Sequence, residues 1–183
     1  SLHDALPIFL FSVPRIFNRI YDGMNKQMAA RPAAIQSLFR KGLAVAKKKR
    51  AGESVGVVDG LAYKLAKGLI FSKVQQRVGG NLKYAFSGGA ALSREVAEFI
   101  DGIGITVYEG YGLTETSPIA TVNRPGGHRI GSVGQPLPGV KIVIDKAASG
   151  DPKHGEIIVY GENVMMGYHN RDEENKAVFT DDQ

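Results

Sequence analysis

The residues best able to do chemistry fall within one stretch, YEGYGLTETSP, from Tyr108 to Pro118. Gly110 and Gly112 open the backbone, Tyr111 offers a flat ring face for a base, and Thr114 supplies a neutral hydroxyl. Glu115 is an oxygen ligand of the kind Mg²⁺ takes together with substrate phosphates. A plainer reading stays open: Tyr111 as an edge-packing aromatic, Thr114 as a helix cap and Glu115 as a first-turn acid matched to the helix dipole. Upstream, FSGGAAL places Gly88, Gly89 and Ala90 after a short apolar run. A phosphate or sulfonate needs backbone N–H donors that it can approach closely, and glycine removes the obstructing side chain while allowing positive φ. The same Gly-Gly turn also arises for steric reasons alone. It matches neither the phosphate loop that ends in Gly-Lys-Ser/Thr nor the spaced-glycine dinucleotide fingerprint.

Both turns need elements to hold them. LKYAFSGG and Ile105 to Tyr108 read as short strands, each running into glycines, and between them Ser93 caps a helix whose Val96, Phe99 and Ile100 face inward and which Gly102 ends. Strand, glycine turn, helix, strand, glycine turn is the order of a parallel α/β sheet, with both loops at the carboxyl ends of the strands, where ligands bind. Before this region the spacing predicts three amphipathic helices. The first has Pro14 at an early position and Ile16, Phe17, Ile20 and Met24 on one face. The second carries Ile35, Leu38, Phe39, Leu43 and Ala46 up to the basic run Lys47 to Arg50, with Gly52 beyond. The third is marked by Val58, Leu61, Ala62, Leu65 and Leu69, with Lys64, Lys67 and Lys73 mostly off that face. Beyond Arg129 apolar and polar residues alternate between Gly and Pro turns, Val140, Ile142 and Ile144 forming one set and Ile157 and Val159 another. The expected architecture is a mostly parallel sheet flanked by helices over residues 1–130, with a small antiparallel β subdomain over 131–183. NRDEENKAVF has room for one helical turn or two.

The chain of 183 residues is 43% hydrophobic and 22% charged, an ordinary globular balance, and carries a net charge of +5. That mild excess suits nucleotides, coenzymes or phospholipid surfaces and falls short of a nucleic-acid footprint. No apolar run reaches the length of a membrane span. The sequence has no cysteine, which excludes disulfides, thiolate metal sites and a cysteine nucleophile and permits a reducing, cytoplasmic setting. The basic run at Lys47 to Arg50 reads first as a solvated helix end and second as a contact for a peripheral membrane or a coenzyme. His3, His128, His154 and His169 are scattered and read as surface or loop residues.

EGYGLTETSP resembles the signature loop of the adenylate-forming ligases, the superfamily of acyl-CoA synthetases, luciferases and peptide-synthetase adenylation domains. SGGAALS resembles the preceding adenine-binding segment, and GSVGQPLPGVKIVI and GEIIVYGENVMMGYHN resemble the segments that follow, in that order. The opening VPRIFNRIYDGM, with the helical stretch after it, resembles the long-chain fatty acyl-CoA synthetase branch. The resemblance implies that Gly88, Gly89 and Ala90 line the adenine and acyl-carboxylate region. It implies that Glu109, Gly110 and Tyr111 border the adenine with the Tyr111 ring stacked on it, that Gly112 belongs to the same loop, that Thr114 binds the α-phosphate and that Glu115 holds Mg²⁺. The implied chemistry joins a fatty carboxylate to ATP, giving acyl-adenylate and pyrophosphate, and then passes the acyl group to the thiol of coenzyme A.

Three family features are missing from this sequence: the Ser/Thr/Gly-rich pyrophosphate loop, the ribose-binding aspartate of a Thr-Gly-Asp motif, and the carboxy-terminal domain with its lysine. Asp181 and Asp182 follow Thr180 without the glycine and are not assigned to the ribose. SLHDALPIF lacks the pattern of a signal peptide. The chain is therefore expected to be a central fragment of a long-chain fatty acid–CoA ligase, catalytically incompetent on its own. A ligase for an aryl or medium-chain acid, a non-catalytic nucleotide- or lipid-binding module, and a structural α/β scaffold are the alternatives.

Overall fold

A computed structural model describes residues 8–180; His3, Asp181 and Asp182 lie outside the described residues. The chain forms two compact units that divide between Glu109 and Gly110, with Arg129–Ser132 belonging to the first.

The first unit is built on three parallel strands, β1 (Phe9–Ser12), β2 (Tyr84–Ser87) and the start of β3 (Thr106–Tyr111), with Ser12 opposite Ser87 and Ser87 opposite Glu109. Parallel neighbours require crossover connections, and helices supply them. Between β1 and β2 run α1 (Pro14–Ala29), α2 (Ala33–Arg50), α3 (Val57–Ala66), a π-helical stretch at Lys67–Phe71 and α4 (Ser72–Arg77). Between β2 and β3 lies α5 (Arg94–Gly102). Pro14 takes the first helical position, where its missing N–H is no loss, and the Ser93 hydroxyl accepts from Val96 N at 3.3 Å to cap α5. Phe39 sits at the centre of the core, edge-on to Phe71 and to Phe99 with centroids 6.0 Å away in each case, and Tyr21 meets Phe99 at 5.0 Å. Gly42 lets α2 approach α3: a Cβ there would come within 2.5 Å of Ala66 Cβ.

The basic end of α2 is held by neighbours. Lys47 pairs with Glu98, Lys48 with Asp59 and Arg50 with Asp101, while Lys49 stands 4.4 Å over the Tyr63 ring. α5 ends at Gly102, as expected, and Gly104, at φ +96°, then turns the chain. Two features differ from the expectation. β1 was not foreseen, because FLFS is short and ends two residues before the proline that starts α1. The third helix forms, but its inward face is Ala66, continued by Ile70 and Val74, whereas Val58, Leu61, Leu65 and Leu69 are exposed. The small Ala66 side chain fits against Gly42, and larger side chains on the other face have no such seat.

In the second unit the end of β3, Gly110 and Tyr111, pairs antiparallel with β4 (Thr121–Val122), and β4 with β5 (Gln135–Pro136). β6 (Lys141–Asp145) and β7 (Glu156–Tyr160) form an antiparallel pair that sets Ile142 opposite Val159 and Ile144 opposite Ile157, the two expected apolar sets. α6 (Lys146–Ser149) joins them, and α7 (Asp172–Val178) follows. Gly134 passes so close to β4 that a Cβ would lie 2.1 Å from the Val122 carbonyl. The architecture is the expected α/β class: a parallel sheet flanked by helices, followed by antiparallel strands.

Candidate functional site

The expected site residues distribute over the two units. In the first, β2 ends at Ser87 and delivers Gly88, Gly89 and Ala90 to a loop. Gly89 adopts φ +80°, a conformation that favours glycine, and the space where its side chain would stand is open. Ala90 is exposed. Glu109 is 8% exposed, and its carboxylate accepts from Leu92 N at 3.3 Å and from Gly131 N at 3.4 Å. It ties the loop after Ala90 and the Arg129–Ser132 segment to the carboxyl end of β3. The Ser87 hydroxyl is buried without a hydrogen-bond partner at the same sheet edge, a feature no residue pattern announced.

In the second unit Gly110 lies against the Thr121 carbonyl, and Tyr111 O accepts from Ala120 N at 2.9 Å. A Cβ on Gly112 would stand 1.8 Å from the Pro118 carbonyl oxygen, so glycine is required for the chain to double back. The turn that follows, Thr114–Thr116, is clasped by Thr116: its hydroxyl accepts from Leu113 N at 2.9 Å and donates to Leu113 O at 3.1 Å. Thr114 is therefore not the cap. It is exposed, and its hydroxyl has no protein partner among the described residues. Nor does Glu115 start a helix with a dipole worth matching, since the turn is three residues long.

Glu115 is instead positioned from a distance in sequence. Tyr168 donates its hydroxyl to Glu115 Oε1 at 2.6 Å, and Met165 N donates to Glu115 O at 2.8 Å. Tyr168 is in turn gripped by the Asn175 amide, which accepts from Tyr168 N at 2.7 Å and donates to Tyr168 O at 3.0 Å. Gly167, at φ +137°, brings the chain against Asn175. Asn163 completes the attachment by donating to Thr116 O at 2.9 Å and Ile119 O at 3.1 Å. The Tyr168 bond lowers the Glu115 pKa and raises that of Tyr168, the two effects of a hydroxyl that favours the ionised carboxylate. Glu115 and Tyr168 border a hollow of ≈ 280 Å³ whose other walls include Ile157, Val159 and Phe179.

Tyr168, Asn175, Asn163 and Thr116 were not singled out from the sequence. The first three lie within or just beyond GEIIVYGENVMMGYHN, and only the fold shows that this segment docks on the LTETSP turn. His154 pairs with Asp151 at 2.5 Å, and His169 contacts Asn170 at 3.2 Å. Among the described residues no group of three His, Cys, Asp or Glu could cage a metal. One carboxylate whose Oε2 has no protein partner among the described residues fits a hard divalent cation that shares its remaining ligands with phosphate and water.

The sequence family described as AMP-binding enzyme matches residues 3–169. The long-chain-fatty-acid–CoA ligase FadD15 of Mycobacterium bovis is 30% identical over 176 residues, spanning 96% of this chain and 28% of that protein. Long-chain-fatty-acid–CoA ligase 2 of Schizosaccharomyces pombe is 32% identical over 192 residues, spanning 100% of this chain and 27% of its own length. Among solved structures, a malonyl-CoA ligase in a ternary product complex with methylmalonyl-CoA and AMP superposes with a TM-score of 0.60 at 26% identity, over 99% of this chain and 30% of that one. The chain thus spans under a third of the length of each of these relatives.

Proposed function

Because the chain belongs to the AMP-binding enzyme family, we propose that it is the central part of an ATP-dependent long-chain fatty acid–CoA ligase, which adenylates a fatty carboxylate and then transfers the acyl group to coenzyme A. The observation that carries this reading is the pairing of a free, exposed Thr114 hydroxyl with a Glu115 carboxylate fixed by Tyr168, on a turn that Gly112 alone permits. In the adenylation step negative charge gathers around the α-phosphate, and preorganised donors lower the barrier because they need not reorient as it forms. Thr114 supplies one such donor. Glu115 would hold Mg²⁺, whose chemistry when bound is to neutralise phosphate charge. In this reading Tyr111 and Gly110 serve the adenine, and Gly88, Gly89, Ala90 and Glu109 are further nucleotide-binding residues. No protein nucleophile is required, in keeping with the scattered histidines.

The long-chain preference rests on the names of the relatives and on the helical region between VPRIFNRIYDGM and FSGGAAL. A second reading, a ligase for another carboxylate, draws support from the likeness to the malonyl-CoA ligase. Assaying the full-length protein that carries this chain with ATP, coenzyme A and acids of graded length separates them. AMP release that rises with chain length is expected; a preference for short or aryl acids would hand the case to the second reading, and no acid-dependent AMP release would remove both.

A further inference from the structure

Both main-chain groups of Tyr168 are held by one side chain of α7. The Asn175 amide accepts from Tyr168 N at 2.7 Å through Oδ1 and donates to Tyr168 O at 3.0 Å through Nδ2. A main-chain nitrogen only donates and a main-chain oxygen only accepts, so the pairing sets this amide one way round. It grips Tyr168 as a neighbouring strand would, leaving neither group unpaired. Gly167 permits the close approach: at φ +137°, a Cβ there would stand 3.1 Å from Asn175 Oδ1 and 3.2 Å from Nδ2.

Asn175 is anchored in turn. Its N donates to Arg171 O at 2.9 Å and its O accepts from Phe179 N at 3.2 Å, so its backbone belongs to the ladder of α7. Ala177, Val178 and Phe179 line the same hollow as Tyr168 and Glu115. At the far end of the tyrosine the hydroxyl meets Glu115 Oε1 at 2.6 Å, and among the described residues no other side chain bonds that carboxylate. A tyrosine hydroxyl lies on the axis of its ring, so turning the ring about χ2 does not move it. Its position follows from the main chain and from χ1, which has three staggered wells. Fixing the main chain of Tyr168 therefore aims the hydroxyl at Glu115.

Resting on the reading of Glu115 as a Mg²⁺ ligand, we propose that Asn175 is a positioning residue for that cation, acting through Tyr168. Asn175 touches neither metal nor nucleotide; it sets the main chain from which the Tyr168 hydroxyl holds the carboxylate. Groups behind a metal ligand raise affinity by keeping the ligand ordered before the metal arrives. Linkage makes the effect mutual: a cation that favours the held carboxylate favours the closed clamp, and so steadies α7.

Calorimetric titration of the full-length protein with Mg·ATP, and with ATP in the presence of a chelator, tests this. Asn175→Ala is expected to weaken Mg·ATP about fivefold and metal-free ATP less than about twofold. Added to Tyr168→Phe it should take away no more than about a further twofold, because the hydroxyl that Asn175 aims is already gone. In the wild-type protein Mg·ATP should slow amide exchange across Asp172–Val178 more than metal-free ATP does, a readout that decides alone should Asn175→Ala fold poorly. Equal losses with and without metal would make Asn175 a support of the fold only and overturn the proposal. So would full additivity with Tyr168→Phe, or exchange in α7 that is indifferent to metal. Glu115→Gln separates this from the reading beneath it: unchanged Mg·ATP affinity in that variant removes both, whereas weakened affinity there with none lost in Asn175→Ala removes the role of Asn175 alone.

Discussion

At the scale of single residues, the turn around Glu115 depends on atoms that leave no room. Gly112→Ala would drive a Cβ into the Pro118 carbonyl, and overpacking against backbone has no side chain to yield. A loss of about 3 kcal/mol or more is expected in chemical denaturation; a variant as stable as wild type would mean that the turn rearranges freely. Tyr168→Phe removes one hydroxyl and leaves the ring. If Tyr168 orients Glu115, affinity for Mg·ATP measured by calorimetry should fall about tenfold, while metal-free nucleotide binding holds. Equal losses with and without metal would demote the bond to structural support. The residue types of this site were legible because glycine, threonine and glutamate crowd into GYGLTET. Tyr168 was not, because its hydrogen bond spans residues 115 to 168 and no local period encodes such a contact. The clasp by Thr116 in place of Thr114 was equally hidden, since either hydroxyl satisfies the sequence pattern.

Among the elements, α2 and α5 are joined by charge as well as by aromatic packing. Hydrogen bonds from Lys47, at 2.8 Å, and Arg94, at 2.9 Å, hold Glu98 below its ordinary pKa of 4.5. A carboxylate depressed in the folded state contributes stability above its unfolded pKa and loses it as pH falls through the folded value. Thermal unfolding should therefore show Glu98→Gln losing less stability than wild type on acidification below about pH 4.5, with a difference at neutral pH of only about 0.2–1 kcal/mol for such exposed pairs. An identical acid limb in both proteins would remove Glu98 from the account. Phe99→Ala, beneath the same pairs, should cost about 3–5 kcal/mol by emptying the space between Tyr21 and Phe39. Helix positions and the β2–α5–β3 order followed directly from periodicity and caps. The face of α3 did not, because periodicity reports that a stripe exists without saying whether protein covers it. The inward side was decided by the fit of Ala66 to Gly42.

For the molecule as a whole, the family resemblance implies a loop and a lysine at the triphosphate that are not among these 183 residues, and losing even one oxyanion donor costs roughly 10²–10³ in rate. The 183-residue chain alone is expected to give no ATP-dependent CoA ligation; robust turnover would mean that the implied loop and lysine are dispensable. Length has one further consequence, at the π-helical stretch Lys67–Phe71, where Ser72 N reaches back five residues to Lys67 O. Such a widened turn holds one residue more than a regular helix needs. Excising Gly68 should let the ladder close in ordinary steps while Ala66 and Val74 keep their bearings, whereas a one-residue excision inside α2 would swing everything after it by about 100°. This short segment is thus where the sequence can lose one residue without unseating its interior.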